Sequence, residues 1–146
     1  MKIWHGQPDI ALIEKLSRGT IHDVLGIEII EIGDDYLMGK MPVDHRTVQP
    51  YGLLHGGASV VLAESLGSIA ATCVVDTSKY AIVGLDVSAN HLRPIKTGFV
   101  YGKATPVHLG RKVHVWDIDI KSDADKLICK SRLTIAVIRI DELPAG

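Results

Sequence analysis

Cysteine is scarce in this chain. The two residues, Cys73 and Cys129, sit in apolar or strand-like stretches with no CxxC pair. That excludes a thiolate metal knuckle and a disulfide scaffold, and implies two free thiols in a reducing compartment. An excess of either charge is missing too: 16 Lys and Arg stand against 17 Asp and Glu, a formal net charge of -1. No overall field therefore draws the molecule to nucleic acid or to an anionic membrane, and any anion it binds must be met by local groups. Residues 1–9 lack the apolar core and small-residue cleavage pattern of a secretion signal, which points to the cytoplasm. No serine sits in GxSxG and no glycine loop matches a phosphate cradle. His91, His108 and His114 fall in different strands or strand ends without ligand spacing, so serine nucleophiles, nucleotide hydrolysis and a resident metal all drop out.

What the chain does have is an apolar run, residues 52–75, interrupted by one charged side chain, Glu64. The run is long enough to raise a membrane span, which needs roughly 20 apolar residues. It is, however, rich in Gly, Ala and Ser, carries a carboxylate near its centre and precedes strands that need its cover. A buried core helix is the better reading. Carboxylates are almost never buried without a partner or a purpose, so Glu64 is the first candidate for chemistry.

The 146 residues predict one domain. Ile10, Ile13 and Leu16 recur at helical spacing before Arg18-Gly19 ends the pattern. Extended runs follow at 24–32 and 36–42, joined by the hairpin-like Gly33-Asp34-Asp35, and then a polar loop at 43–52. The apolar helix should start near His55 to Gly57. Ala58, Leu62, Leu66, Ile69 and Cys73 mark one face, and small residues on its other faces let a sheet approach closely. Strands are expected over 80–92, 98–108, 112–121 and 126–140. In the last of these, Leu127, Cys129, Leu133, Ile135 and Val137 alternate with Lys130, Arg132 and Thr134. The predicted order is β-β-α-β-β-β-β, an α+β fold with a mostly antiparallel sheet around one central helix.

A loop entering a helix through His55-Gly56-Gly57 presents unpaired N–H groups and the positive end of the helix dipole. A carbonyl oxygen on the Gly56 amide would be polarised there; the alternative is that the glycines only permit tight packing. Glu64 lies eight residues further along, about 12 Å at the α-helical rise. Both can act on one substrate only if a second copy of the helix brings them together. Otherwise Glu64 is a structural carboxylate satisfied by a neighbour such as Ser68. His55 either donates to substrate or caps the helix. Gln49 either binds a carbonyl or lies exposed, and Ser68 either holds a water or bonds back to the Glu64 carbonyl. Cationic groups at strand turns, namely His91 and Arg93, then His108, Arg111 and Lys112, with Arg132, form either a phosphate-binding rim or a guarded sheet edge.

The string Gln49-Pro50-Tyr51-Gly52-Leu53-Leu54-His55-Gly56-Gly57, with Glu64 seven residues after Gly57 and then Ser68, resembles the hotdog-fold acyl-CoA thioesterases. The similarity is greatest to the branch with a helix glutamate that includes thioesterases of 4-hydroxybenzoyl-CoA and of 1,4-dihydroxy-2-naphthoyl-CoA in menaquinone synthesis. It runs from about Leu25 to Ile138 and includes Ala89-Asn90-His91 and His108-Leu109-Gly110. The resemblance implies a six-stranded antiparallel sheet wrapped around the long helix, and homodimers pairing into a homotetramer. It implies catalytic roles for Gln49, His55, Gly56, Glu64 and Ser68, and contacts to the coenzyme A arm from Gly84, His91, Leu92, Arg93, His108, Leu109, Gly110 and Arg111. No metal or redox cofactor is needed, coenzyme A being part of the substrate. Ile69, after Ser68, would add an apolar wall suited to an aromatic acyl group. Competing expectations are a hotdog hydratase, a thioesterase acting on acyl-carrier protein, and a non-catalytic acyl-CoA binding module.

Overall fold

In the computed structural model, which describes residues 1–146, two short helices, α1 (Ile10–Ser17) and α2 (Ile21–Leu25), lead into strands β1 (Glu28–Ile32) and β2 (Leu37–Pro42). The long helix α3 (Gly56–Val74) follows, then β3 (Tyr80–His91), β4 (Phe99–Leu109), β5 (Val113–Ser122) and β6 (Leu127–Arg139), and one 3-10 turn (Ile140–Glu142). The six strands form one sheet in the order β1-β2-β4-β5-β6-β3, with every neighbouring pair antiparallel. The helix lies across one face of it. This is the hotdog architecture that the resemblance implied.

The expected strand over 24–32 is corrected at its start, because residues 21–25 are helical. Thr20 caps that turn by accepting from the His22 amide, and Gly26 ends it in the left-handed region at φ 70°. A Thr cap followed by a Gly stop overrides the strand preference of Val24. In α1, Ile10 and Ile13 pack against the core as the spacing required, whereas Leu16 is exposed.

The core lies between α3 and the sheet. Leu62 and Leu66 from the helix meet Leu37, Met41, Trp116, Ile118, Ile120, Leu133 and Ile135 from the strands, all fully buried. The close approach comes from small residues on both layers. A Cβ at Gly102 would stand 2.5 Å from Leu66, and one at Gly67 would stand 2.6 Å from Leu133. The helix composition would let it span a bilayer, but it is the core helix, buried by the sheet along Ala58, Ser59, Leu62, Ala63, Leu66, Gly67, Ala70 and Ala71. Burial on all sides is not reached within one chain. Val60, Val61, Glu64, Ser65, Ser68 and Ile69 form a stripe only half covered.

Candidate active site

The segment 43–55 is held by its backbone before α3 begins. The buried Thr47 hydroxyl donates to the Pro42 carbonyl (2.7 Å), and the amides of Gln49, Leu54 and His55 donate to the carbonyls of Leu53, Ile95 and Thr47, each at 2.8 Å. Asp44 accepts from the Arg46 guanidinium and amide, which together hold its carboxyl down at about 2. Gly52 sits at φ 77°, turning the chain between Gln49 and Leu53. The Gln49 side-chain oxygen accepts from the Tyr51 amide, which leaves its NH2 group free to donate.

At the helix start, His55 Nδ1 accepts from the Gly57 N–H at 2.8 Å. The neutral imidazole must then carry its proton on Nε2, so His55 is both a cap and a donor pointing away from the helix. Its carbonyl accepts from the amides of Ala58 and Ser59 (3.0 and 3.3 Å). The Gly56 amide has no partner, which makes it the open donor of the first turn. The His91 ring lies against this glycine, with Nε2 only 2.8 Å from where a Cβ would be. Gln49, Gly56, His91, Leu92 and Arg93 line a cavity of about 320 Å³, and Ser59 closes its inner side.

Glu64 points elsewhere. Its Oε1 is 2.8 Å from the position of a Cβ on Gly84, so it reaches the backbone of β3, the strand at the edge of the sheet. It makes no hydrogen bond or ion pair. The bond to Ser68 that would have made it a structural carboxylate is absent, and Ser68 contributes its backbone carbonyl to Thr72 instead.

The coenzyme A set expected from the resemblance is split within one chain. His91, Leu92 and Arg93 stand beside Gly56. His108, Gly110 and Arg111 line a second cavity, about 890 Å³, with Tyr80, Lys112 and Arg139, while Leu109 is not part of its lining. Strand register sets these groups well apart along β3: Gly84, in its first half, pairs with Ile135, Ile135 with His114 and His114 with Leu109, whereas His91, its last residue, pairs with Cys129. Seven residues of strand separate Gly84 from His91, about 23 Å. Arg132, grouped by sequence with the cationic rim, is held by Asp117 through two bonds of 2.7 and 3.1 Å. Sequence reasoning passed over Ser59, Tyr80 and Arg139. The signal for Ser59 was its position one helical turn after Gly56. The other two are gathered only by strand pairing.

Known proteins resemble this chain in sequence and in fold. The sequence model of the thioesterase superfamily matches residues 51–129. A thioesterase from Pseudomonas aeruginosa, crystallised as a Gln-to-Ala mutant, superposes with a TM-score of 0.94 at 50% identity, over 95% of this chain and 100% of that one. The chain is 44% identical to the 1,4-dihydroxy-2-naphthoyl-CoA hydrolase of Escherichia coli (93% and 99% covered) and 43% identical to the proofreading thioesterase EntH of Cronobacter turicensis (93% and 98%). The chain belongs to the thioesterase superfamily, and is a hotdog-fold enzyme that hydrolyses thioesters.

Proposed function

We propose that this enzyme hydrolyses acyl-CoA, with an aromatic acyl group such as 1,4-dihydroxy-2-naphthoyl preferred, at sites shared between two copies of the chain in the cytoplasm. The observation that carries the reading is the separation of two incomplete halves. An unpartnered Gly56 amide with Gln49 and His55 lies at one end of the edge strand, and an unpartnered Glu64 lies toward the other. Antiparallel pairing of two β3 strands about a twofold near Val87 sets Gly84 of each copy beside the His91 end of the other, and lays the half-covered stripes of two α3 helices together. The exposed Val83 and Leu85 on β3 make it an edge that needs such cover. Two such dimers pair into a tetramer.

In this site the thioester carbonyl accepts from the Gly56 amide, assisted by the Gln49 amide and His55 Nε2–H. Glu64 of the second copy attacks the carbonyl carbon, or takes a proton from the attacking water, which Ser68 positions. The C–S bond breaks and the thiolate takes a proton to leave as coenzyme A; with water as nucleophile this yields the free acid directly, and with Glu64 as nucleophile a water then hydrolyses the acyl–Glu64 anhydride to free acid and the regenerated carboxylate, with no cofactor in either case. Ile69, beside Ser68 on the half-covered stripe, provides an apolar wall for the acyl group. The cavity with Arg111 and Lys112, beside an Arg139 already paired with Asp141, favours a nucleotide-bearing thiol over a carrier protein.

The test is thiol release from aromatic and aliphatic acyl-CoAs. Release is expected from the wild type, fastest with aromatic groups, and not from Glu64→Ala or His55→Ala alone. Mixing those two variants should restore up to about a quarter of wild-type activity, because each mixed dimer has one intact site. No recovery on mixing rules out the shared site. A folded wild type that releases no thiol points to a hydratase or a binding module.

A further inference from the structure

We propose that the Ser59 hydroxyl is a second hydrogen-bond donor to the thioester carbonyl, beside the Gly56 amide; this rests on the thioesterase reading above. Ser59 is 1% exposed, yet it lines the 320 Å³ cavity, and its hydroxyl makes no hydrogen bond within the chain. Two helical hydroxyls bond back to the carbonyl four residues earlier, Ser17 to Ile13 and Thr72 to Ser68, both at 2.8 Å; Ser65 and Ser68 do not, but they lie on the half-covered stripe, whereas Ser59 is buried. The corresponding carbonyl for Ser59 is that of His55, and it already accepts from the amides of Ala58 and Ser59. The Ser59 hydroxyl, opening on the cavity, therefore keeps its donor for an acceptor that enters there.

The helix aims this group at the right place. Residues three apart share a face, and helical side chains lean toward the N-terminus, so the Ser59 hydroxyl is directed toward the turn where the Gly56 amide emerges unpartnered. Both donors open on the cavity that also receives Gln49 and His91. A thioester sulfur is a weak acceptor, whereas the carbonyl oxygen gains a full negative charge when the nucleophile adds to carbon and the C=O π pair moves to oxygen. Collapse of that adduct re-forms the C=O bond and expels the thiolate, and Ser59 keeps its proton throughout. Ser59 is thus a donor to the oxyanion and not a nucleophile.

Two readouts test this. In steady-state kinetics, Ser59→Ala should lose about a hundredfold to a thousandfold in kcat, the loss typical of one such donor, with KM within about twofold of wild type. Ser59→Thr, which keeps the hydroxyl, should recover much of the loss, and thermal unfolding should show all three proteins folded. The second readout is the infrared stretch of a ¹³C-labelled thioester carbonyl bound to Glu64→Gln, which requires no turnover. The stretch should move to higher frequency in Glu64→Gln/Ser59→Ala, because one polarising bond is gone. An unchanged stretch, or no bound thioester at all, overturns the proposal, as does a wild-type kcat in Ser59→Ala. If the wild type releases no thiol, the thioesterase reading fails by itself, and a hydroxyl-dependent carbonyl shift would still place Ser59 on the carbonyl.

Discussion

Glu64 and His55 acquire their roles from opposite circumstances, one from having no partner and the other from having one. The Glu64 carboxylate lies over a backbone position that only glycine leaves open. Gly84→Ala should therefore displace it by inserting a methyl 2.8 Å from Oε1. Because the obstacle is the far end of a flexible side chain, chemical denaturation should show a stability change under about 1 kcal/mol while thiol release falls sharply. A drop in stability with activity intact would sink that account. His55 spends Nδ1 on the helix cap and has Nε2–H left for chemistry. His55→Ala should then cost about 1 kcal/mol of stability as well as activity. His55→Asn, which still caps, should regain the stability and not the activity, as unfolding and thiol-release assays on the same samples would reveal.

At the scale of elements, the loop 43–55 matters as much as the helix it feeds. It is fixed by backbone bonds, by the Asp44–Arg46 pair and by Val43, Val48 and Leu54, which reach the core. The depressed carboxyl of Asp44 sets the sign of its pH response. Its contribution is complete above the unfolded value near 3.8 and is lost as pH falls toward about 2. Amide exchange in the loop should accelerate across that window in the wild type. Asp44→Asn should show faster exchange already at neutral pH and little further change on acidification. The same scale shows where sequence reading failed: α2 was hidden because Val24 and Leu25 look strand-like, although Thr20 and Gly26 bracketed a five-residue helical turn. The amphipathic pattern of α1 was legible, but an outlying helix that buries only Ile10 and Ile13 leaves Leu16 in water.

For the whole molecule, the decisive feature is the exposed edge. Leu85 is 61% exposed on β3, and Leu85→Lys should give a folded monomer by sedimentation velocity with thiol release abolished. A dimeric, active variant would require a different interface. Acid stability belongs to this scale as well. Burial lowers the pKa of His114, helped by the neighbouring charge of His108, and burial likewise lowers that of His22. The unfolded chain then binds more protons than the native one, so stability should fall as pH drops through about 6.5 and level off below the folded values. Urea unfolding at pH 7 and pH 5 should show that slope, reduced in His114→Gln.

By itself the sequence determined the six-strand and core-helix plan, the His55-Gly56-Gly57 helix entry and the isolation of Glu64 in an apolar run, because hydrophobic period, turn residues and charge placement are local properties. Only the tertiary structure decided which of these meet. Strand register sets Gly84 and the His108 turn well apart from His91. Helix packing turns Ser59 into the cavity beside Gly56 and leaves Glu64 on a half-covered stripe. Such juxtapositions depend on pairings between residues far apart in the chain, about which local spacing carries no information.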